Sequence, residues 1–276
     1  MSADLIFWYG FALKMVLTAA VVVITSVAVE RSGPFLGAMI GSLPTAAGAA
    51  YTILTFEHPP DFIAASAIGS VAINGAVAIF AAIYAMLAQR HGLLVSLGVA
   101  GLVWFAIAAA LRLVDWTPLS AVALNVVIYA VTIPLSWRFR GNTGPVTFVR
   151  TRFDIPLRAL TAALVVAVVT AASSRIGSFA SGMFAIFPII LSSSIVIMHP
   201  RIGGKATASM LAHVQLPLIG MVFGFLAVHY LVAPIGAWPA LAVGLVVSLT
   251  WSGLLLVLRL RQQRRQRAIS ASATAP

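Results

Sequence analysis

Apolar residues run for about 20 positions at a time along nearly the whole chain, with polar residues collected in short joints between the runs. A helix of that length rises far enough to cross a hydrocarbon core of roughly 30 Å. The pattern predicts nine membrane-spanning helices, at residues 8–29, 35–56, 62–87, 93–112, 118–137, 157–174, 179–198, 206–231 and 238–259. Breakers occupy the joints: Ser32-Gly33-Pro34, His58-Pro59-Pro60, His91-Gly92, Thr117-Pro118, Gly141 to Pro145, and His199-Pro200. The longest joint runs from Arg138 to Pro156 and carries Arg138, Arg140, Arg150 and Arg152. The expected fold class is an all-α polytopic membrane protein.

Composition points the same way. Hydrophobic residues are 61% of the 276, charged residues 8%, and the mean hydropathy is +1.06. A soluble domain of this size could not cover so much apolar surface. The absence of cysteine excludes disulfides, iron–sulfur clusters and thiolate nucleophiles. Met1 to Leu13 shows no cationic segment ahead of a small-residue cleavage site, so no removable signal peptide is expected. The net charge of +11 raises nucleic-acid binding, but the cations stand in loops between apolar spans, where topology accounts for them.

Nine spans put the termini on opposite faces. The face of the long loop then holds 14 of the 17 Lys and Arg residues, including the dense run Arg259 to Arg267. Lys14, Arg112 and Arg175 fall on the other face, with Asp4, Glu57, Asp61 and Asp115. Cations favour the cytoplasmic side. The expected location is the bacterial inner membrane, multi-pass, with the N-terminus outside and the C-terminus cytoplasmic. The tail is expected to meet anionic headgroups and to be disordered beyond Ala268.

The chain also resembles itself. Setting residue 33 over residue 177 pairs Gly33 with Gly177, Phe35 with Phe179, Met39 with Met183 and Pro44 with Pro188. One residue less pairs Ala65-Ser66 with Ala208-Ser209, and beyond a small insertion Trp104 meets Trp251 and Arg112 meets Arg259. Spans one to four therefore match spans six to nine, and span five links them. An odd number of spans separates equivalent helices, so the copies run in opposite directions, in a 4+1+4 arrangement of inverted repeats. The expected division is 1–112 for the first repeat, 113–156 for the linker helix and loop, 157–260 for the second repeat and 261–276 for the basic tail. Inverted repeats about an axis in the membrane plane accompany alternating access in transporters.

At Gly37, Pro44, Thr45 and Tyr51, with the matching run Gly182 to Pro188, the chain resembles the small GlpM-like membrane proteins. The resemblance covers about 80 residues per half and implies a tandem fusion of two such units. That family's name is associated with exopolysaccharide production in some bacteria. The second copy departs from the first in having Ile189 at the position of Thr45, and span five has no counterpart.

A site is expected where spans two and seven cross. Pro44 and Pro188 fall near their middles, and a proline inside a helix frees a backbone carbonyl that lipid cannot satisfy. Thr45 lies beside one, and Ser192, Ser193 and Ser194 beside the other. Asn74 in span three and His213 in span eight are further candidate substrate contacts; Gln215 and Asn125 read as interhelical hydrogen-bonding residues, and Lys14 as a snorkelling cation. No acidic residue lies inside a span, which disfavours a cation antiporter. No phosphate-binding loop, paired carboxylates or His/Cys set is present, so neither catalysis, a cofactor nor a metal is expected. The sequence reads as a secondary transporter of a small organic anion or neutral solute. The alternative is a non-transporting or lipid-handling component of envelope polysaccharide or lipid-carrier metabolism. Expected partners are the lipid bilayer and a small-molecule substrate, not nucleic acid; assembly as a homo-oligomer is left open.

Overall fold

A computed structural model describes residues 45–140 and 177–273, with side chains over 47–140 and 177–262, and isolated positions at 16, 20, 156, 160 and 175. Apart from those isolated positions, the expected spans 8–29 and 157–174, together with Pro44 and Lys14, lie outside the described residues. Within them the chain is helical throughout. Six helices follow one another: α1 (Thr45–Glu57), α2 (Pro60–Leu87), α3 (Leu93–Leu111), α4 (Pro118–Trp137), α5 (Ile189–Ile235) and α6 (Ala237–Ala273). A shorter helical stretch, residues 177–185, precedes α5. Five segments are long and apolar enough to cross a membrane: Pro60–Leu87, Leu93–Leu111, Pro118–Trp137, Gly177–Ile235 and Ala237–Gln262.

The boundaries follow local chemistry. Pro60 and Pro118 each open a helix, where the missing N–H is no loss. Thr117 and Ser120 form a capping box at the start of α4. Pro134, Pro200 and Pro217 lie inside helices without ending them, their lost hydrogen bonds being tolerated in tightly packed surroundings.

The sequence reads residues 179–198 as one kinked span; the structure interrupts it. The stretch 177–185 ends, residues 186–188 leave the helix, and α5 starts at Ile189. Two tight turns make the break, Phe187 N–H to Phe184 C=O at 3.0 Å and Ile189 N–H to Phe187 C=O at 2.6 Å. Pro188, with ψ at 52°, cannot continue the first helix and instead caps the next. A second break at Gly203 divides α5 into two arms. Its φ of 82° with ψ of 161° is closed to residues with a Cβ, so the glycine fixes the joint. Beyond the membrane-length part, α6 continues as helix to Ala273, past the point where the sequence suggests disorder.

Helix α2 is the centre. It is buried along most of its length, whereas α3, α4 and α6 turn Leu94, Leu102, Val126, Val131, Val246 and Leu254 outward, as lipid-facing helices do. The second arm of α5 lies against α2 and runs antiparallel to it. His229 bonds Ala64 C=O, Gln215 bonds Ala78 C=O, and Gly204 lies against Ala88 C=O. Gly203 immediately precedes that arm and Gly92 precedes α3; Pro60 and Gly204 are 144 residues apart, as are Leu93 and Ala237, the first residues of α3 and α6. α4, which the sequence treats as a linker, is packed on α2: Asn125 Nδ2 donates to Val71 C=O at 2.7 Å, and Tyr129 O–H donates to Asn74 Oδ1.

Candidate functional site

The stretch 177–185 crosses α2 at closer range than side chains allow. A Cβ on Gly182 would strike the backbone of Ser66, and one on Gly69 the backbone of Phe179. With nothing between the backbones, the serines of α2 reach the carbonyls of the crossing stretch. Ser66 Oγ donates to Ser178 C=O at 2.9 Å and Ser70 Oγ to Gly182 C=O at 2.6 Å. Gly182 lies in the last turn before the break, where helical carbonyls lose their usual donors. Ser70 has one proton, already given to Gly182, so Tyr51 O–H is the donor in its 2.8 Å bond to Ser70 Oγ. The Tyr51 ring in turn stands 5.4 Å from that of Phe225. Thus α1, α2, the interrupted stretch and the second arm of α5 meet at one buried point.

Trp104 supports the break from the other side. It is fully buried on α3, edge-on to Phe187 at 4.9 Å and tilted against Phe184 at 6.1 Å. Pro188 is buried at the break itself, and Ser192 N–H donates to Pro188 C=O at 2.8 Å. Ser193 and Ser194 are buried one turn further on, with Ser193 Oγ donating back to Ile190 C=O. Pro188, Ser192, Ser193 and Ser194 thus occupy the cap and the first two turns of α5. Thr45 is the first residue of α1, and Pro44 lies outside the described residues.

The other two candidates occupy different surroundings. Asn74 is fully buried at the α2–α4 contact. His213 is half-buried on α5, its ring Nδ1–H bonding Ser209 C=O within the same helix. It faces Arg140 and Arg259. Arg140 bonds the adjoining Ala212 C=O through Nε at 3.1 Å and lies over the Trp137 ring at 4.4 Å. Burial, joined by the like charge of Arg259, holds its guanidinium below the ordinary arginine range. His213 thus belongs to a cationic end of the bundle rather than to the turn at Pro188.

The α2–α4–α5 contact is incompletely satisfied. Of six buried side-chain polar atoms without a hydrogen-bond partner among the described residues, five lie on these helices: Asn74 Nδ2, Asn125 Oδ1, Thr132 Oγ1, Ser136 Oγ and Gln215 Oε1. The sixth is Trp104 Nε1. Thr132 and Ser136 continue, at helical spacing, the α4 face that carries Asn125 and Tyr129.

A cavity of about 480 Å³ opens at the end of the bundle where α2 and α4 begin. Ala65 and Ile68 of α2, Phe179 and Ala180 of the interrupted stretch, His229 of α5, and Arg112, Asp115 and Trp116 of the α3–α4 turn line it. Two of its lining residues, Ile68 and Phe179, adjoin the Gly69 crossing.

Sequence reasoning centred on the prolines and missed that cluster. The signal was present: Ser66, Gly69 and Ser70 form a small-residue face on α2, and Ser178 and Gly182 repeat it four residues apart. Fold and composition together define a helical protein with several segments suited to crossing a membrane. No family model, curated protein or solved structure matches the chain.

Proposed function

We propose that the protein is a secondary transporter of nine spans in a 4+1+4 arrangement of inverted repeats, moving a small organic anion or neutral solute across the bacterial inner membrane. Its N-terminus lies outside and its C-terminus in the cytoplasm. Describing the halves as two GlpM-like units in tandem belongs to the same proposal. The observation that carries it is the antiparallel pairing of α2 with the second arm of α5, two helices that begin 144 residues apart and follow one another in the self-similarity of the sequence. Equivalent helices lying side by side and head to tail are what inversion requires. An interrupted span crosses α2 at Gly182, and interrupted spans commonly build transporter sites because freed backbone groups can be presented to solute there.

Differences between equivalent positions support an outward-open state. Ala65 is exposed in the cavity, whereas its counterpart Ala208 is fully buried. Arg112 is exposed, while its counterpart Arg259 is half-buried. In alternating access the two halves exchange such conformations, and the site at the crossing opens to the other side.

Transport is tested in proteoliposomes with the purified chain. Ser70→Leu wedges α2 away from the interrupted stretch and is expected to abolish solute flux while leaving membrane insertion intact. Full flux in that variant would remove the crossing as the site. A purified protein that neither binds nor moves any solute would favour the non-transporting reading.

A further inference from the structure

The outer cavity differs in chemistry from the crossing beneath it. Arg112, Asp115 and His229 bring a cation, an anion and an imidazole to one wall. Arg112 caps the end of α3, and Asp115 follows in the turn leading to α4. That turn is held by its own hydrogen bonds. Trp116 Nε1–H donates back to Leu111 C=O at 2.8 Å, and Thr117 and Ser120 exchange the bonds of the capping box. Both charges are therefore presented from an ordered backbone, and among the described residues no ion pair joins them. His229 uses its Nδ1–H on Ala64 C=O, because a carbonyl can only accept, which leaves Nε2 as the ring's other polar atom.

We propose that this cavity binds a small zwitterion, with its carboxylate or phosphate at Arg112 and its ammonium at Asp115. The proposal rests on the transport reading for the fate of the ligand, though not for its binding. A purely anionic ligand meets repulsion from Asp115 and a purely cationic one from Arg112; a zwitterion meets neither. Ile68, Phe179 and Val114 supply apolar wall for the uncharged part of the ligand. A cavity of about 480 Å³ is ample for a solute of amino-acid size. The same pairing of charges occurs in a free amino acid and in the headgroup of phosphatidylethanolamine, so the two sources must be separated by experiment.

The full chain, purified in detergent, is titrated calorimetrically with the common L-amino acids. The tightest binder is then compared with its amide, which is only a cation, and its N-acetyl form, which is only an anion. In parallel, thermal stability is measured in nanodiscs of phosphatidylglycerol with and without phosphatidylethanolamine. The expected result is that the zwitterion binds at least tenfold more tightly than either capped form. Arg112→Gln then makes the amide the better ligand, and Asp115→Asn makes the N-acetyl form the better ligand. Both side chains are exposed, so neither variant threatens folding. Stabilisation by phosphatidylethanolamine alone, lost in both variants, assigns the site to a lipid headgroup. Equal affinity for the amino acid and its N-acetyl form, insensitive to Asp115→Asn, would overturn the proposal, as would no response to any amino acid or to phosphatidylethanolamine. Zwitterion binding without flux in proteoliposomes would leave this site standing and sink transport. Flux of a simple anion with no zwitterion binding would do the reverse.

Discussion

Ser70 and Thr132 are both buried hydroxyls on apolar helices, yet removing them has different expected costs. Ser70 donates to Gly182 C=O and accepts from Tyr51, so Ser70→Ala leaves a carbonyl and a phenol unpaired. A loss of about 1–2 kcal/mol is expected, in line with interhelical hydrogen bonds in membranes. Thr132 Oγ1 has no partner among the described residues, and the isosteric Thr132→Val is expected to be neutral or stabilising by up to about 1 kcal/mol. Unfolding of both variants in mixed detergent micelles measures the difference; equal losses would mean that Thr132 is satisfied by a bound water. Glycines divide in the same manner. Gly182→Ala drives a methyl into the backbone of Ser66 and is expected to cost more than about 2 kcal/mol, whereas at Gly48 a methyl meets nothing among the described residues and improves helix propensity. A thermal midpoint for Gly182→Ala equal to that of the parent would contradict the close crossing.

The breaks determine how legible each element is. Spans 62–87, 93–112 and 118–137 can be read from the sequence because each is a continuous apolar run with proline or glycine at its start, and α2, α3 and α4 fall there within about two residues. The span at 179–198 reads as one apolar run because Ile186, Phe187 and Pro188 are as apolar as their neighbours; Pro188 signals a lost helical bond but not that the helix stops and restarts. What makes the interruption is a pair of tight turns supported by Trp104, a residue 84 positions from Pro188 in the chain and invisible to any local pattern. The joint between spans 179–198 and 206–231 is legible in the sequence and Gly203 falls within it, but Pro200, read as its breaker, stays helical and the glycine makes the turn. Gly203→Ala is expected to cost about 1–3 kcal/mol, because φ of 82° strains any residue with a Cβ. Gly204→Ala should be no milder, since its methyl meets Ala88 C=O. Circular dichroism would show helix content unchanged in both, with only the unfolding midpoint lowered. For the site, the sequence proposes Pro188 and its serines, which lie at the break and in the first two turns of α5. It did not supply Tyr51, Ser70 or the cavity, because these depend on which faces of α1, α2 and α5 meet.

At the scale of the whole molecule, the central claim is that two equivalent halves exchange conformations around the crossing of α2 with the interrupted stretch. The proposed repeat pairs Ala65 with Ala208, and the two differ in structure: one lines the cavity and the other is fully buried. The proposed topology would place residue 65 towards the outside and residue 208 towards the cytoplasm. The natural absence of cysteine means that a single introduced thiol reports only its own position. Ala65→Cys and Ala208→Cys are placed separately in the chain, and membrane-impermeant maleimide is applied to right-side-out and inside-out vesicles. The account predicts that Cys at position 65 reacts from outside only and that Cys at position 208 reacts slowly from inside only. In the double variant, a bulky label on the outer thiol is expected to suppress reaction of the inner one at least tenfold, since both cavities cannot be open together. Independent labelling of the two thiols, or an inner thiol that stays unreactive with the outer site unlabelled, would contradict the account.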